Sequence, residues 1–177
     1  MNFESLEIEG AFLVHNFFAE DYRGSFVKTF HIEEFKKIGF QGSFEESYYS
    51  KSFKNVIRGM HFQLPPNDHE KLVYVSDGSI LDVVLDLRRE SVTYGKHVSV
   101  RLDAFGNSIF IPKGCAHGFL TISENATVIY NVTTVYNKEA DAGILWNSFG
   151  MNWKVDAPIL SQRDINFSQF SNFKSPF

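Results

Sequence analysis

Cysteine is all but missing from this 177-residue chain: Cys115 stands alone, so no disulfide can form within it. A reducing compartment, the cytoplasm, is therefore the expected location. Also missing is any apolar run near the ~20 residues that a membrane-spanning helix requires. The start, Met1-Asn2-Phe3-Glu4-Ser5, lacks the basic region and apolar core of a signal peptide. Basic charge is not in excess either. Seventeen Lys and Arg against 21 Asp and Glu leave a net charge of −4, which argues against nucleic acid or an anionic membrane as partner. An anionic ligand would have to meet a local basic cluster. No repeat, linker or low-complexity block interrupts the chain, so a single domain over residues 1–177 is expected.

Helical periodicity is scarce, and strand patterns take its place. Val73 to Ser76, Ile80 to Leu87, His97 to Leu102, Ser108 to Ile111, Phe119 to Ile122 and Thr127 to Val135 are short β-rich runs. Gly78, Gly95, Gly106, Gly114 and Glu124-Asn125 punctuate them in the rhythm of a sandwich or jelly roll. Val98-Ser99-Val100-Arg101-Leu102 alternates cleanly between apolar and polar. The 19 phenylalanines suit an interior filled by flat side chains. One helix is predicted, Ile32 to Ile38, between a strand at Phe26 to Phe30 and a stop at Gly39. Pro65-Pro66-Asn67-Asp68 reads as a rigid turn, and the polar tail after Trp153 as a short helix or arm packed on the body. The expected class is all-β with short peripheral helices.

The spacing Gly106-x5-Pro112-x-Gly114-x2-His117 resembles the second signature of a cupin-type jelly-roll barrel, with Thr121 where an Asn often closes it. The first signature departs. Metal-binding cupins offer His-x-His, a Glu and the later His, whereas this chain reads His61-x-Gln63. An amide is a poor ligand beside imidazole, so His61, Glu70 and His117 would hold a transition metal weakly. No metal and no cofactor are expected, which leaves His61 free for proton chemistry.

Further blocks carry a closer resemblance. They include Asp21-Tyr22-Arg23-Gly24-Ser25-Phe26, Asn55-Val56-Ile57-Arg58-Gly59-Met60-His61-Phe62-Gln63, Lys71-Leu72-Val73 and Leu81-Asp82-Val83-Val84-Leu85-Asp86-Leu87-Arg88. Ile111-Pro112-x-Gly114-x-Ala116-His117-Gly118-Phe119, Tyr130-x5-Tyr136, Ile144-Leu145-Trp146-Asn147 and Leu160-Ser161-x2-Asp164 follow in order. Together they resemble the dTDP-4-dehydrorhamnose 3,5-epimerase family. The resemblance implies a metal-free jelly-roll homodimer that inverts C3, C5 or both beside the 4-keto group of a nucleotide-diphospho-sugar.

A C–H next to a ketone is acidic because the resulting anion spreads onto the carbonyl oxygen. Inversion needs a base on one face of the sugar, a charge near the enolate oxygen and an acid on the other face. Imidazole is the best base near neutral pH, which points to His61. The resemblance assigns Asp164 to hold its other nitrogen and Tyr130 to return the proton, with Lys71 beside the enolate oxygen. Outside this context each has a blander reading: a structural histidine, a half-buried strand tyrosine, a surface carboxylate. Cys115 reads as a small buried hydrophobe rather than a nucleophile. His15, His31, His69 and His97 have no motif behind them and are expected to be surface or structural residues.

For the diphosphate, the resemblance points to Arg23 and Arg58, with Arg163 where a lysine is common; Tyr136 falls where a ring stacks on the base, and His117 in the substrate pocket. Gln63 joins this binding set. Departures gather in the same region. Glu46-Ser47-Tyr48 replaces a usual Gln-x-Asn, Asp141 replaces a glutamate, and Lys28, Val135 and Ser148 replace a carboxylate, an aromatic and an aspartate. Glu46 and Tyr48 are therefore candidate recognition residues, and a carboxylate at Glu46 suits a guanine edge. The expected substrate is a dTDP-4-keto-6-deoxyhexose or a GDP-4-keto-6-deoxy-heptose of bacterial surface polysaccharide synthesis. Two other classes stay open: a sugar-binding cupin without turnover, and a metal-dependent cupin isomerase or dioxygenase.

Overall fold

The computed structural model describes residues 1–177. In chain order its strands are β1 (Asn2–Ser5), β2 (Phe12–His15), β3 (Phe17–Asp21), β4 (Gly24–Lys28), β5 (Glu46–Phe53), β6 (Ile57–Gln63) and β7 (Lys71–Asp77). There follow β8 (Ser79–Asp86), β9 (His97–Asp103), β10 (Asn107–Ile111), β11 (Cys115–Thr121), β12 (Asn125–Val132) and β13 (Asp141–Gly143). Helices are confined to α1 (Ile32–Phe35), α2 (Gln162–Ile165) and two short 3₁₀ turns.

One antiparallel sheet runs β1-β2-β10-β7-β12-β5 and a second runs β13-β6-β11-β8-β9; β3 and β4 form a separate hairpin. The chain is a cupin-type jelly-roll barrel. Period-two alternation decides what faces the interior. In β12, Ala126, Val128, Tyr130 and Val132 are buried while their neighbours are half-exposed. The same alternation turns Ile80, Asp82 and Val84 of β8 to the opposite face from Leu81, Val83 and Leu85. Val73, Val75, Ile80, Val84, Ile109, Ile111, Phe119 and Val128 make the core shared by the two sheets.

Phenylalanine does not fill that interior as the composition suggests. Apart from Phe119, Tyr130 and Cys115 the inner core is aliphatic, because two facing sheets leave room for branched side chains rather than broad rings. The rings gather outside. Phe35 and Phe40 pack with Phe3, Phe12, Phe30, Phe44 and Phe110 around α1. Phe62 meets Phe173 and Phe177 of the C-terminal tail, which covers the outer face of the second sheet. The predicted helix is one turn of α-helix continued by the 3₁₀ turn Lys36–Ile38, and it ends as expected at Gly39, φ 90°. Pro65-Pro66 lies in a turn, and α2 with a 3₁₀ turn occupies the tail. β11 starts at Cys115, four residues before its apolar signal, since Cys115 and His117 are also buried. No helix is long and apolar enough to cross a membrane.

Phe35 contacts four other rings and has no exposed surface. Phe35→Ala should therefore cost about 3–5 kcal/mol, read as a lower urea midpoint at an unchanged m-value.

Candidate active site

Two residues apart on β11 are matched by three on β6: His117 pairs with His61, and Phe119 with Arg58. This bulge lets Arg58 and His61 both line the cavity while Ile57, Met60 and Phe62 pack outward. Gly59 is the residue that permits it. Its φ is 140°, and a Cβ there would lie 2.6 Å from the Gly118 Cα. A Cβ on Gly118 would in turn lie 2.8 Å from the Arg58 carbonyl oxygen. Only two glycines allow the strands to approach so closely.

His61 Nε2 lies 2.8 Å from Asp164 Oδ1. The ionised carboxylate can only accept, so Nε2 carries the proton and Nδ1 keeps a free lone pair. Asp164 itself is buried and anchored: its Oδ2 accepts the Gly59 N–H at 3.2 Å, and its own N–H donates to Ser161 Oγ, the N-cap of α2. Burial alone would raise the Asp164 carboxyl, but His61, the Gly59 N–H and Ser161 hold it below the usual range. Burial pushes the His61 imidazole down, with Arg163 and Lys71 adding to that and Asp164 opposing it. His61 is thus kept neutral at neutral pH.

Lys71 on β7 is buried and donates to the His61 carbonyl oxygen at 3.2 Å. Burial lowers its ammonium to about 8, against the pull of Asp82, Asp141 and Cys115, so it still carries its charge at neutral pH. Across the cavity, Tyr130 faces its cross-strand partner Tyr48, and their rings stack at 4.8 Å. Burial raises both phenols, Tyr48 to about 12, so both are protonated donors; Ser50 Oγ lies 3.3 Å from the Tyr130 hydroxyl. A second imidazole–carboxylate pair, His117 with Asp82 at 2.7 Å, sits buried beside them.

Two adjoining cavities share Tyr48, His61 and Lys71. The smaller, about 280 Å³, brings in Ser50, Arg58, His117, Phe119 and Tyr130. The larger, about 340 Å³, brings in Glu46, Gln63, His69, Tyr136, Asp141 and Arg163. These volumes suit a small ligand. Arg58 is braced by Ser52 Oγ at 2.8 Å, and Arg163 pairs with Asp141 at 2.6 Å. Tyr136 is fixed at the rim by its N–H on Glu46 Oε2 and its hydroxyl on Asp141.

Two expected ligand contacts read differently in place. Gln63 lines the cavity, but its amide is engaged with two loops: Nε2 donates to the Asn67 carbonyl oxygen between β6 and β7 at 2.8 Å, and Oε1 accepts the Asn137 N–H beyond β12 at 2.6 Å. Arg23 is not brought to the cavity of its own chain; it sits at the tip of the β3–β4 hairpin, paired with Asp21. The sequence reading named neither His69 nor Asp82 as a site residue: His69, expected to be surface or structural, lines the larger cavity, and Asp82 holds His117. Asp82 left one signal, a carboxylate inside an apolar strand. His69 left none, since its position is set by a loop. Its ring Nδ1 meets Thr134 Oγ1 at 3.2 Å, while Nε2 is buried without a partner. Cys115 is buried and its thiol pushed up to about 12, so it is no nucleophile.

The family model for dTDP-4-dehydrorhamnose 3,5-epimerase matches residues 5–172. The Escherichia coli K12 enzyme of that name is 39% identical over 169 residues, covering 93% of this chain and 91% of its own. The solved structure from Elizabethkingia anophelis, of the same name, superposes with a TM-score of 0.92 at 31% identity, covering 97% of both chains. A dTDP-6-deoxy-D-glucose-3,5-epimerase from Legionella pneumophila, solved with dTDP-4-keto-L-rhamnose, gives 0.93 at 29% identity over 98% of this chain and 94% of its own.

Burial lowers the His69 imidazole from 6.5 to about 3, helped by Lys71, Lys113 and His117. A depressed folded value means stability present above pH 6.5 and lost as the pH falls toward 3. His69→Gln should flatten the fall in unfolding free energy between pH 6.5 and 4.5. Urea titrations at several pH values measure it, and an unchanged slope would show that the ring protonates freely.

Proposed function

Because the chain belongs to the dTDP-4-dehydrorhamnose 3,5-epimerase family, we propose that it epimerises a dTDP-4-keto-6-deoxy sugar at C3 and C5 on the way to a surface polysaccharide precursor. It is an isomerase-class enzyme of carbohydrate metabolism. The observation that carries the proposal is the placement around one cavity of His61 on the second sheet, held by Asp164 of α2, and of Tyr130 on the first sheet.

A sugar held between the sheets exposes one face to His61 and the other to Tyr130. Neutral His61 removes the proton beside the ketone through Nδ1, and Asp164 stabilises the imidazolium that forms. The buried Lys71 ammonium lies beside His61 and offsets charge on the enolate oxygen. Tyr130 gives its hydroxyl proton to the opposite face of the same carbon. Inversion is complete when the imidazolium proton is lost and the phenol regained through solvent. No metal is required, and both imidazoles already hold carboxylates through Nε2. Arg58 and Arg163 suit the diphosphate, and Tyr136 the base.

The guanine-edge role for Glu46 fits poorly: one of its carboxylate oxygens already accepts the Tyr136 N–H, so a two-oxygen contact to a purine would first have to break that bond. This favours dTDP over GDP. A homodimer is the arrangement that gives Arg23 a role. The hairpin that carries it exposes Phe17, Tyr22 and Phe26, and across a dimer it would reach the diphosphate in the neighbouring cavity. A cytoplasmic location fits the lone reduced Cys115.

Incubation with a dTDP-4-keto-6-deoxyhexose in deuterated water should wash deuterium into C3 and C5. His61→Asn should abolish exchange at both carbons, a loss of at least ~10²-fold. Tyr130→Phe should slow net inversion more than initial exchange; equal loss of exchange in both variants would overturn the assignment of base and acid. In thermal shifts dTDP should stabilise the protein more than GDP does, and Arg23→Ala should shrink the dTDP shift. Sedimentation as a monomer, or no effect of Arg23→Ala, would remove the dimer.

A further inference from the structure

Asp164 holds His61 from one side, and three residues later the chain places an aromatic ring on the same imidazole. Phe167 lies edge-on to His61 with ring centroids 5.7 Å apart and planes at 72°. The Arg163 guanidinium sits over the same Phe167 ring, 5.1 Å from its centroid. One apolar side chain thus touches the imidazole and also carries the cation that stands at the rim of the larger cavity.

The ring needs room beside β6, and Gly143 supplies it. Gly143 pairs with His61 across β13 and β6. A Cβ there would lie 2.3–2.6 Å from three atoms of the Phe167 ring. No positive φ is involved, so the constraint is steric: position 143 must be glycine for Phe167 to lie where it does. The tail is held in place by its backbone, since the Leu145 N–H donates to the Ser168 carbonyl oxygen at 2.9 Å. The contact is therefore built from both sides, by a ring on the tail and by an absent side chain on the strand.

We propose that Phe167 is a positioning residue of this site, its ring shielding His61 from water and fixing Arg163, with Gly143 as its required partner. The inference rests on His61 being the base. The charged groups around His61 are Asp164 from α2, Arg163 from the same helix and Lys71 from β7. Burial is the largest influence holding the imidazole below its ordinary value, and Arg163 acts in the same direction. Removing the ring admits water and releases Arg163, and both changes favour the imidazolium. Loss of Asp164 would act in the opposite direction, so the sign of the change separates shielding by Phe167 from mere loosening of the tail.

The test reads His61 directly by NMR titration of the free full-length protein, with its resonance assigned by its disappearance in His61→Asn. Phe167→Ala should raise the His61 midpoint by about one unit, move the acid limb of the exchange rate to higher pH by the same amount, and lower kcat about tenfold. Phe167→Leu, which keeps apolar bulk, should shift the midpoint less than half as far. Gly143→Ala should displace the ring and shift the midpoint upward in the same way. In the Gly143→Ala, Phe167→Ala double variant the two shifts should not add, because the second change acts on a ring already gone. If the midpoint in Phe167→Ala stays or falls, or the double variant is additive, the proposal is overturned. If instead His61→Asn keeps its exchange activity, the reading of His61 as base fails while the titration still reports on Phe167. Should Phe167→Ala fail to fold, the Leu variant decides by the same sign.

Discussion

A contact between two glycine backbones, Gly59 on β6 and Gly118 on β11, fixes everything that happens in the cavity. A regular strand would send Arg58 and His61 to opposite faces, since they are three residues apart. The extra residue in β6 turns both inward, and only bare Cα atoms let the neighbouring strands close over it. The same bulge aims the Gly59 N–H at Asp164, so the strand irregularity and the orientation of the imidazole are one event. A hydrophobic core of ordinary aliphatic side chains surrounds it, but that core would accept many packings. The close approach would not.

Burial then sets the chemistry. Both sheets place ionisable groups where water is scarce, and each is either partnered or pushed toward its neutral form. His61 and His117 each hold a carboxylate. Lys71 is lowered but still charged, and the phenols are raised and protonated. The result is a neutral imidazole on the second sheet, protonated phenols on the first and the Lys71 ammonium beside the imidazole, an arrangement that suits carbon-acid chemistry near neutral pH.

Much of this was legible because it is periodic or short-range. The alternation in β9 and the glycine-punctuated runs announced a sandwich or jelly roll, and Gly39 marked the end of the single early helix. Blocks such as Arg58-Gly59-Met60-His61 and Ser161-x2-Asp164 carried the site, though only by resemblance; nothing in their spacing says that residues 61 and 164 meet. What stayed hidden has physical reasons. β3 is exposed along its whole length and so shows no amphipathic signal. The phenylalanines serve the outside of the barrel, which composition cannot distinguish from the inside. His69 lies near Thr134 through loop geometry, and the engagement of Gln63 with Asn67 and Asn137 depends on the loops on either side. Arg23 matched a pattern, yet the β3–β4 hairpin holds it against Asp21 and away from the cavity of its own chain.

The position of β5 bears on how such a chain can diverge. It hydrogen-bonds only to β12 and leaves its other edge unpaired. Its residues Glu46 and Tyr48 line the cavity and are among those that depart from the family's usual pattern, whereas the residues proposed for proton transfer lie on β6, β7 and β12, each flanked by strands on both sides. An outermost strand can bend or shift by tenths of an ångström without disturbing the registers within. Selection can therefore rework which ligand is recognised at the margin of the barrel while the interior geometry is inherited unchanged.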